Sequence, residues 1–362
     1  MTTSVFITGG SGFVGRLIVR AIQEQHPEWQ VTVFDLEHPG EAIDEITFVR
    51  GDVTDPASIE HALAISKPGA VIHSAGLVPP LSERFGRRLQ SKVLSVNVDG
   101  TRNMLSASKK HGVSAFVWTG SCTAVIEDTR YSYRNVNEKY PTSTTSLIYG
   151  ESKAMAEKLV LDANTDGFAT CALRPSTLFG PGDHQLVPSI HACIAKWETP
   201  FVLGDAENLW DASYAPNVAD AHVLAVDNLL SSSSAAGEAI FIQNNEPITF
   251  RDFCLEIWKN FGHYPPFEVR LPYRLAWFAG LCAESFTWVM GGTYTLSRGS
   301  VNDACAIRYA NGDKARALLD FNPRVGIEEG LRISCAEYKT RLETESSELE
   351  VKGEKRPKQD CH

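Results

Sequence analysis

Positive charge is scarce in this 362-residue sequence, in which 34 Lys and Arg residues face 44 Asp and Glu residues and the formal net charge is -10. Nucleic acids and anionic membranes bind proteins largely through clustered cations. The composition therefore argues against a partner of either kind that is held by bulk electrostatics, and it predicts no nucleic-acid partner. With 43% hydrophobic and 22% charged residues the chain can form a globular core, and a small-molecule substrate is the favoured partner.

Closely spaced cysteines are also missing. The eight cysteines, from Cys122 to Cys361, form neither a Cys-x-x-Cys motif nor a short Cys/His cluster, so the sequence predicts reduced thiols and no metal site. The first apolar run, Val5 to Ile7, has no basic segment before it and leads into a glycine-rich turn rather than a small-residue cleavage site. We therefore expect no secretory signal and a cytoplasmic location.

Long hydrophobic runs are lacking too. The best candidate, Leu271 to Met290, is interrupted by Pro272, Arg274 and Glu284, so it falls short of the ~20 apolar residues that a membrane span requires. Two interpretations stay open, a buried helix of a small lobe and a helix that lies in the membrane interface. In the second case the protein contacts the endoplasmic reticulum membrane peripherally, and five side chains face lipid, namely Trp277, Phe278, Leu281, Phe286 and Trp288.

The N-terminal residues have the pattern of a strand, a glycine-rich turn and a helix. The β-branched run Val5 to Thr8 is followed by Gly9-Gly10-Ser11-Gly12-Phe13-Val14-Gly15 and then by apolar residues at helical spacing. Glycines in such a turn let the backbone approach a pyrophosphate, and the N-terminus of the helix attracts its charge. We therefore predict that a dinucleotide cofactor contacts Gly9, Gly12, Phe13, Val14 and Gly15.

A second predicted strand, Val31 to Phe34, ends in Asp35. In a dinucleotide-binding fold a carboxylate about 20 residues after the last glycine accepts hydrogen bonds from the adenosine ribose. Because an acid there repels a 2'-phosphate, the sequence favours NAD over NADP as the cofactor. The simpler alternative for Asp35 is a solvated residue at a strand end.

Small or acidic residues also follow the third and fourth predicted strands. In a doubly wound sheet the ligand crosses the carboxyl ends of the strands. Asp52 and Val53 are therefore placed for the adenine, and Ala75 and Gly76 for the backbone of the cofactor. The alternative for Asp52 is that its side chain caps a turn, because the sequence Gly-Asp is common in turns.

Tyr149 and Lys153 stand four residues apart in a predicted helix, so their side chains lie on one helix face. An ammonium near a phenol favours the phenolate and lowers the pKa of the tyrosine, which suits a general base. The alternative is a surface helix whose Tyr and Lys merely point the same way.

Two more polar residues are candidates for the same site. Asn97 lies inside the apolar stripe of a long predicted helix, where a buried amide needs a specific partner. Ser121 follows the fifth predicted strand, so its hydroxyl lies at the same rim of the sheet. A satisfied core amide and a plain turn residue are the respective alternatives.

The predicted strands and helices alternate along most of the chain. Strands are predicted at 5–8, 31–34, 46–50, 70–73, 115–119, 168–173, 201–203 and 239–243, and helices at 87–110, 189–197, 217–230 and 250–261. This order is typical of an α/β fold of the Rossmann type, with a doubly wound parallel sheet and a smaller C-terminal substrate lobe. Residues 1–180 form the dinucleotide-binding core, with sheet elements returning near 211–243, residues 181–345 mainly form the substrate lobe, and residues 346–362 form a disordered tail.

The glycines, Asp35, Asn97, Ser121 and the Tyr149–Lys153 pair, in that order, resemble the motifs of the extended short-chain dehydrogenase/reductases over residues 1 to about 345. Further motifs resemble the 3β-hydroxysteroid dehydrogenase branch, and within it the fungal sterol-4α-carboxylate 3-dehydrogenases. They are Thr119-Gly120-Ser121, Arg174-Pro175, Gly180-Pro181-Gly182-Asp183, Gln185-Leu186-Val187-Pro188, Asn217-Val218-Ala219-Asp220-Ala221-His222, Gly312-Asp313-Lys314-Ala315-Arg316 and Asn322-Pro323-Arg324. Most of that branch has Thr-Ser-Ser at the first of these, so only the second hydroxyl is kept here, as Ser121.

The resemblance implies roles for these residues. Tyr149 removes the alcohol proton while a hydride passes to the nicotinamide, and Lys153 lowers the pKa of Tyr149 and holds the nicotinamide ribose. Ser121 hydrogen-bonds the reacting oxygen, and Asn97 orders a water behind Lys153 as a proton relay. The remaining expected cofactor contacts are Pro175 and Thr177.

The resemblance also implies NAD-dependent oxidation of a 3β-hydroxyl on a sterol or another apolar polycyclic substrate, with decarboxylation where a 4α-carboxylate is present. The expected substrate contacts are Ser121, Cys122, Tyr149, Leu178, Phe179 and Tyr214. Alternatives with the same fold are a 3β-hydroxysteroid dehydrogenase/isomerase and a ketoreductase of a fungal terpenoid or other secondary-metabolite pathway. A remote alternative is a non-catalytic dinucleotide sensor. In enzymes of this class, helices of two subunits often pair to form a dimer, so a homodimer is expected.

Overall fold

A computed structural model describes residues 3–40, 45–80, 83–128, 131–142, 147–290 and 297–352, and the side chains of residues 286–290 and 348–352 lie outside that description. Its strands are β1 (Ser4–Thr8), β2 (Gln30–Asp35), β3 (Ile46–Arg50), β4 (Ala70–His73), β5 (Ala115–Thr119), β6 (Tyr133–Val136), β7 (Ala169–Pro175), β8 (Leu178–Phe179), β9 (Phe201–Leu203), β10 (Leu209–Trp210), β11 (Ser213–Tyr214), β12 (Ala239–Ile242), β13 (Ile248–Thr249), β14 (Val269–Leu271) and β15 (Arg308–Ala310).

Its helices are α1 (Phe13–Gln25), α2 (Pro56–Ser66), α3 (Gln90–Leu94), α4 (Gly100–Lys110), α5 (Thr123–Ile126), α6 (Ile148–Asp162), α7 (Leu186–Ala195), α8 (Ala215–Leu230), α9 (Phe250–Asn260), α10 (Tyr273–Met290), α11 (Arg298–Cys305), α12 (Asp313–Leu319) and α13 (Ile327–Lys352). A π-helical turn, Ser95–Asp99, joins α3 to α4. In the ranges that the structure describes, no helix is both long and apolar enough to cross a membrane.

Seven strands form one parallel sheet in the order β12-β7-β5-β4-β1-β2-β3. The strand order reverses at β1, which pairs with β2 on one side and with β4 on the other. Helices α1 and α8 pack on one face of the sheet, and α2, α4 and α6 pack on the other. Because both faces are covered, β1, β4 and β5 are runs of buried apolar residues rather than alternating ones. The doubly wound α/β fold predicted from the sequence is confirmed.

The second half of the chain adds a smaller core. Side chains of α7, α9 and α13 meet in a cluster that includes Ile190, Phe253, Ile257 and Leu331. A four-stranded sheet, β13-β10-β15-β6, and the pairs β11-β8 and β14-β9 lie outside the main sheet. Strand β12, which follows several of these smaller strands in the chain, pairs with β7 at the edge of the main sheet. The boundaries that the sequence predicts for the two parts stay a prediction.

Two predicted segments differ from the structure. The helix expected at 87–110 is three pieces, because the π-helical turn interrupts it around Asn97. Helix α13 continues to Lys352, so its last residues enter the segment predicted as a disordered tail. Residues 353–362 lie outside the described part of the chain.

Helix α10 covers most of the segment that could contact a membrane. Ala276 is buried, whereas Leu275 and Phe278 have 57% and 59% of their surface exposed. A Cβ on Gly280 would lie 2.7 Å from the backbone of Ser297, so this face of the helix packs closely against the residue that precedes α11. The helix therefore has one packed face and one exposed apolar face. The predicted lipid contacts of Phe286 and Trp288 lie outside the described side chains.

Candidate active site

The glycine-rich turn joins the carboxyl end of β1 to α1. Gly9 has a φ of +71°, and a Cβ there would lie 2.7 Å from Ala75 N, so the turn requires glycine. Gly12 N donates to Gly9 O at 3.0 Å, and Gly12 directly precedes α1. A side chain on Gly15 would overlap Gly9 O. The turn thus leaves the N-terminus of α1 open, where the unpaired N–H groups of a helix bind an anion.

The carboxylate of Asp35 faces this turn from the end of β2. Its Oδ2 accepts from Ser11 N at 2.9 Å and its Oδ1 accepts from Leu36 N at 2.7 Å. Phe13 and Val14 are half-buried in the first turn of α1 and pack against the core. A glycine cradle next to a fixed carboxylate fits the pyrophosphate and the adenosine ribose of a dinucleotide.

Asp52 and Val53 lie at the carboxyl end of β3. The Oδ1 of Asp52 accepts from Thr54 N at 2.8 Å, so this side chain does cap a turn. Val53 is buried, and a Cβ on Gly100 would lie 2.9 Å from its side chain. Their contact with an adenine remains a prediction.

Ala75 and Gly76 follow β4 and connect the glycine-rich turn to the catalytic candidates. Ala75 N donates to Thr8 Oγ1 at 3.2 Å. A Cβ on Gly76 would lie 3.4 Å from both Asn97 Oδ1 and Lys153 Nζ. Glycine here keeps the space in front of the amide and the ammonium open, which fits the approach of a cofactor.

Tyr149 and Lys153 lie in the first turns of α6. The Nζ of Lys153 donates to Thr119 O, at the end of β5, at 2.8 Å. It lies 5.8 Å from the centre of the Tyr149 ring and 4.8 Å from that of Trp118. The structure therefore brings the predicted pair together at the carboxyl edge of the sheet, with the ammonium held by the strand that leads to Ser121.

Asn97 is buried, and its amide is fully engaged. Its Oδ1 accepts from Leu77 N at 2.7 Å, and its Nδ2 donates to Leu77 O at 3.1 Å and to Ser152 Oγ at 2.9 Å. Ser152 Oγ in turn donates to Tyr149 O at 2.7 Å. Asn97 thus ties the segment after β4 to the helix that carries Tyr149, and its predicted ordering of a water stays a prediction.

Ser121 lies just beyond β5 with 8% of its surface exposed. Its Oγ accepts from Thr123 Oγ1 at 2.9 Å and from Thr123 N at 3.2 Å. The hydroxyl also acts on Tyr149, where it lowers the pKa of the phenol and so favours the phenolate. The hydroxyl is therefore oriented by Thr123, and its own proton is available to the tyrosine oxygen or to a substrate oxygen.

The titration of the pair differs from the sequence-based expectation. Burial raises the pKa of Tyr149 well above its usual value, and the charges of Glu127 and Cys122 raise it further, while the Ser121 hydrogen bond and Arg84 lower it. Burial lowers the pKa of Lys153 to about 8. The sequence predicted a depressed tyrosine pKa from the neighbouring ammonium alone and could not account for the burial of the phenol.

Glu127 is a site residue that the sequence analysis missed. It directly follows α5, is buried, and lies against Gly150, the residue after Tyr149. The only local signal was an acidic residue after the apolar run Ala124 to Ile126, in a polar stretch without a usable motif. Its position depends on the packing of α5 against α6, which the local sequence does not specify.

The expected substrate contacts fall into two groups. Cys122 is buried beside Ser121, and burial raises the pKa of its thiol to about 11. Leu178 is half-buried at the edge of the core. Phe179 and Tyr214, by contrast, are buried against each other with ring centres 5.5 Å apart. The pairing of β8 with β11 directs these two rings into the small core, and their contact with a substrate remains a prediction.

Pro175 and Thr177 lie at and just after the carboxyl end of β7, the strand next to β5. Pro175 ends β7, is buried, and its carbonyl accepts from Cys122 N at 2.9 Å. Thr177 is half-buried, and its carbonyl accepts from Ser213 N at 2.9 Å. Both are therefore at the same edge of the sheet as Ser121, and their contact with the cofactor remains a prediction.

Two depressions on the small lobe, of about 700 and 630 Å³, lie between α9 and the start of α13. Their walls include Glu246, Glu256, Lys259 and Glu328. None of the predicted site residues lines them, so they are separate from the site around Tyr149.

Comparison with known proteins agrees with this geometry. Residues 6–273 match the model of the 3-beta hydroxysteroid dehydrogenase/isomerase family. The chain is 38% identical over 333 residues to the decarboxylating sterol-4-alpha-carboxylate 3-dehydrogenase of Schizosaccharomyces pombe, covering 90% of this chain and 95% of that protein. It is 37% identical to the Saccharomyces cerevisiae enzyme of the same name over 92% of this chain and 97% of that one.

More distant proteins share the fold or part of the chemistry. The 2-alkyl-3-oxoalkanoate reductase of Stenotrophomonas maltophilia is 31% identical over 91% of this chain and 97% of its own length. The UDP-glucose 4-epimerase of Thermotoga maritima superposes with a TM-score of 0.73 at 20% identity, covering 94% of this chain and 100% of that one. The first of these is a reductase by name, and the second shows the fold alone.

The family match extends over most of the chain, and the Ser121, Tyr149 and Lys153 side chains meet at the carboxyl edge of a doubly wound sheet. The chain is an oxidoreductase of the short-chain type that uses a nicotinamide dinucleotide, and it belongs to the 3-beta hydroxysteroid dehydrogenase/isomerase family.

Proposed function

We propose that the chain oxidises the 3β-hydroxyl of a sterol or a similar fused-ring alcohol with NAD, and that a 4α-carboxylate on the same ring then leaves as CO2. The observation that carries this proposal is the convergence of Ser121, Tyr149 and Lys153 beside an open glycine-rich turn. The similarity to two yeast sterol-4-alpha-carboxylate 3-dehydrogenases supports the substrate class.

In this mechanism Ser121 and Tyr149 hold the substrate hydroxyl, and Tyr149 as phenolate accepts its proton. The N-terminus of α1 would hold the pyrophosphate of a dinucleotide and Asp35 its adenosine ribose, and the bound cofactor would supply the hydride acceptor. Lys153 keeps a positive charge near the phenol, and Thr119 O fixes the position of that charge. The alcohol loses one proton and one hydride and becomes a ketone.

Loss of CO2 follows from the chemistry of the product. A ketone at carbon 3 makes the carboxylate at carbon 4 a β-keto acid, so the carbonyl accepts the electron pair of the breaking carbon–carbon bond. The enolate oxygen that forms lies where Ser121 and Tyr149 can donate hydrogen bonds to it. A proton taken from water and added to carbon 4 turns the enolate into the ketone and completes the step without a further catalytic side chain.

The relatives share a functional group rather than a carbon skeleton. A sterol 4-carboxylate with a 3-hydroxyl is a β-hydroxy acid. A 2-alkyl-3-oxoalkanoate is a β-keto acid, and the carbon between its ketone and its carboxylate carries an alkyl group. One reacting unit, a secondary alcohol or ketone next to a substituted carbon that bears a carboxylate, accounts for both names. We therefore place the β-hydroxy acid unit, more than the ring system, at Ser121 and Tyr149.

A competition assay tests the proposal. The enzyme receives NAD with a fused-ring 3β-alcohol, its 4α-carboxylated analogue and a nucleotide sugar, and NADH and CO2 are both measured. We expect NADH from the two ring alcohols and CO2 from the acid alone. Preference for the nucleotide sugar contradicts the proposal.

The second candidate is a ketoreductase of a polycyclic secondary metabolite. The raised pKa of Tyr149 favours it, because a protonated phenol is the form that donates to a ketone. Oxidation of the plain alcohol without CO2 release from the acid, together with rapid reduction of a polycyclic ketone by NADH, would leave this candidate as the better assignment.

We propose NAD rather than NADP on the strength of Asp35. Replacing Asp35 with Ala should raise the KM for NAD and narrow the preference for NAD over NADP, because the carboxylate accepts from the ribose and repels a 2'-phosphate. The comparison is kcat/KM for each cofactor in both proteins. Replacing the neighbouring exposed Leu36 with Ala is the matched control and should leave the ratio unchanged. A wild type that already prefers NADP shows the charge argument to be wrong.

The exposed face of α10 supports a peripheral membrane contact. Leu275 and Phe278 stand at helical spacing on that face, and a net charge of -10 favours neutral over anionic lipid. Replacing both with Ser should reduce flotation with phosphatidylcholine vesicles several-fold, since each buried CH2 contributes roughly 0.8 kcal/mol. Ile65→Ser, at a similarly exposed position on α2, is the control. Equal flotation of the wild type, the double variant and Ile65→Ser shows that α10 does not form the membrane contact.

The homodimer stays a prediction of the family resemblance.

A further inference from the structure

The carboxylate of Glu127 occupies the space beside the first turn of α6. Glu127 is 3% exposed, and a side chain on Gly150 would overlap its Oε2. Gly150 directly follows Tyr149 and has no positive φ, so the backbone conformation does not require glycine here. Glycine is required by the close approach of the Glu127 carboxylate and of Thr123 O, which a Cβ would meet at 2.7 Å.

The charge of Glu127 reaches two groups of the site. It opposes the ionisation of Tyr149, and it also opposes that of Cys122, which lies next to Ser121. The carboxylate therefore lies between α5 and the first turn of α6, next to the residue that follows Tyr149. Asp128, the next residue, acts instead on Tyr133 in β6.

Two other charged groups near Tyr149, Arg84 and Glu151, are held in ion pairs of their own. Arg84 acts on Tyr149 in the opposite direction and is paired with Asp303 at 3.1 Å. On the adjoining turn of α6, Glu151 is paired with Arg87 at 2.5 Å. Among the residues that the structure describes, Cys122 and Lys153 also lie near Tyr149. Lys153 acts in turn on His73, and Arg308 acts on Cys122.

We propose that Glu127 is a positioning residue, one that fixes the first turn of α6 and, through Tyr149, sets the pH above which the alcohol is oxidised. The proposal rests on the proposed role of Tyr149 as the base. A negative charge beside the phenol disfavours the phenolate, so oxidation requires a higher pH than it would without Glu127. The same charge keeps Tyr149 protonated at neutral pH, which favours the reverse reduction.

The test is the pH dependence of kcat/KM for oxidation with saturating NAD. Glu127→Gln preserves the shape and removes the charge, and it should move the acidic midpoint of the profile down by about one pH unit. Asp128→Asn removes an equal charge from the adjacent residue and should leave the midpoint in place. An unchanged midpoint in Glu127→Gln, with or without loss of rate, overturns the proposal, because a purely structural residue lowers the rate without moving the profile.

Gly150→Ala gives a second variant that leaves Glu127 in the chain. The added methyl group overlaps the carboxylate and also lies 2.7 Å from Thr123 O, so it moves the carboxylate away and presses α6 from α5. The midpoint should fall in this variant but change no further when it is combined with Glu127→Gln. A midpoint equal to that of the wild type shows that the carboxylate does not act on Tyr149 from this position.

A readout without turnover separates this proposal from the proposed function. The ultraviolet absorbance of tyrosinate is titrated in the wild type, in Tyr149→Phe and in Glu127→Gln, and the difference between the first two gives the titration of Tyr149. We expect this tyrosine to ionise at a lower pH in Glu127→Gln. That result supports the role of Glu127 even if the competition assay rejects a sterol substrate, whereas an unshifted titration overturns it even if the sterol is oxidised.

Discussion

Tyr149→Phe should lower kcat for alcohol oxidation by ~10² to 10⁴, the range typical of a general acid or base. The substitution keeps the ring, whose centre lies 5.8 Å from the Lys153 ammonium, and removes only the phenol oxygen, whose pKa Ser121 lowers. Binding of NADH, followed by its fluorescence, should change little, because the glycine-rich turn and Asp35 are untouched. Single-turnover measurement with a fused-ring alcohol gives the rate of the chemical step itself.

Tyr264→Phe is the matched control for this result. Tyr264 has 70% of its surface exposed and lies in the segment after α9, and it is not among the residues around Tyr149. The same chemical change there should leave kcat within the error of the assay. If Tyr149→Phe retains half of the wild-type rate, another group removes the proton and the assignment of the base is wrong.

The parts of the site that depend on local sequence could be predicted. Gly9 needs its positive φ because the chain must turn within a few residues of β1, and Asp35 stands at a fixed distance from that turn along a short strand–helix–strand path. Tyr149 and Lys153 share a helix face by spacing alone. These relations are set by neighbours in the chain, which a sequence contains directly.

The parts that depend on distant contacts could not be predicted. The amide of Asn97 is satisfied by Leu77, 20 residues away, and by Ser152, 55 residues away, within a π-helical turn that helical periodicity does not reveal. Phe179 and Tyr214 were expected in the cleft because they are large and apolar, but residues of that kind are equally suited to a core. Their burial depends on which way β8 and β11 face, and composition does not specify it.

A buried ion pair that the sequence analysis did not predict holds α6 against the sheet. Glu157 on α6 and Arg174 on β7 form a double hydrogen bond, in which Nε donates to Oε2 at 2.7 Å and Nη2 donates to Oε1 at 2.6 Å. Their side chains are only 2% and 4% exposed. The guanidinium also lies 5.1 Å from the centre of the Phe241 ring. Because α6 carries Tyr149 and Lys153, this ion pair fixes the catalytic helix to the strand next to β5.

Breaking this pair should have the largest effect on stability among the substitutions proposed for this chain. Glu157→Gln leaves the charge of Arg174 buried without its counterion, so we expect the free energy of unfolding to fall by ~3 to 5 kcal/mol. Chemical denaturation followed by circular dichroism measures this change. Lys158→Ala, which breaks the exposed Lys158–Asp162 pair on the same helix, is the control, and it should cost no more than ~0.5 kcal/mol because water screens both partners.

Replacing both partners separates the cost of an unpaired charge from the worth of the pair. Glu157→Leu combined with Arg174→Met removes both charges and fills much of the same volume, so it should recover most of the stability that Glu157→Gln loses. If the double variant is as unstable as the single one, the double hydrogen bond itself stabilises the fold. If Glu157→Gln costs no more than Lys158→Ala, the pair is not buried in solution and α6 is held to the sheet by its apolar contacts, chiefly Ala156 and Val160 in the core beneath it.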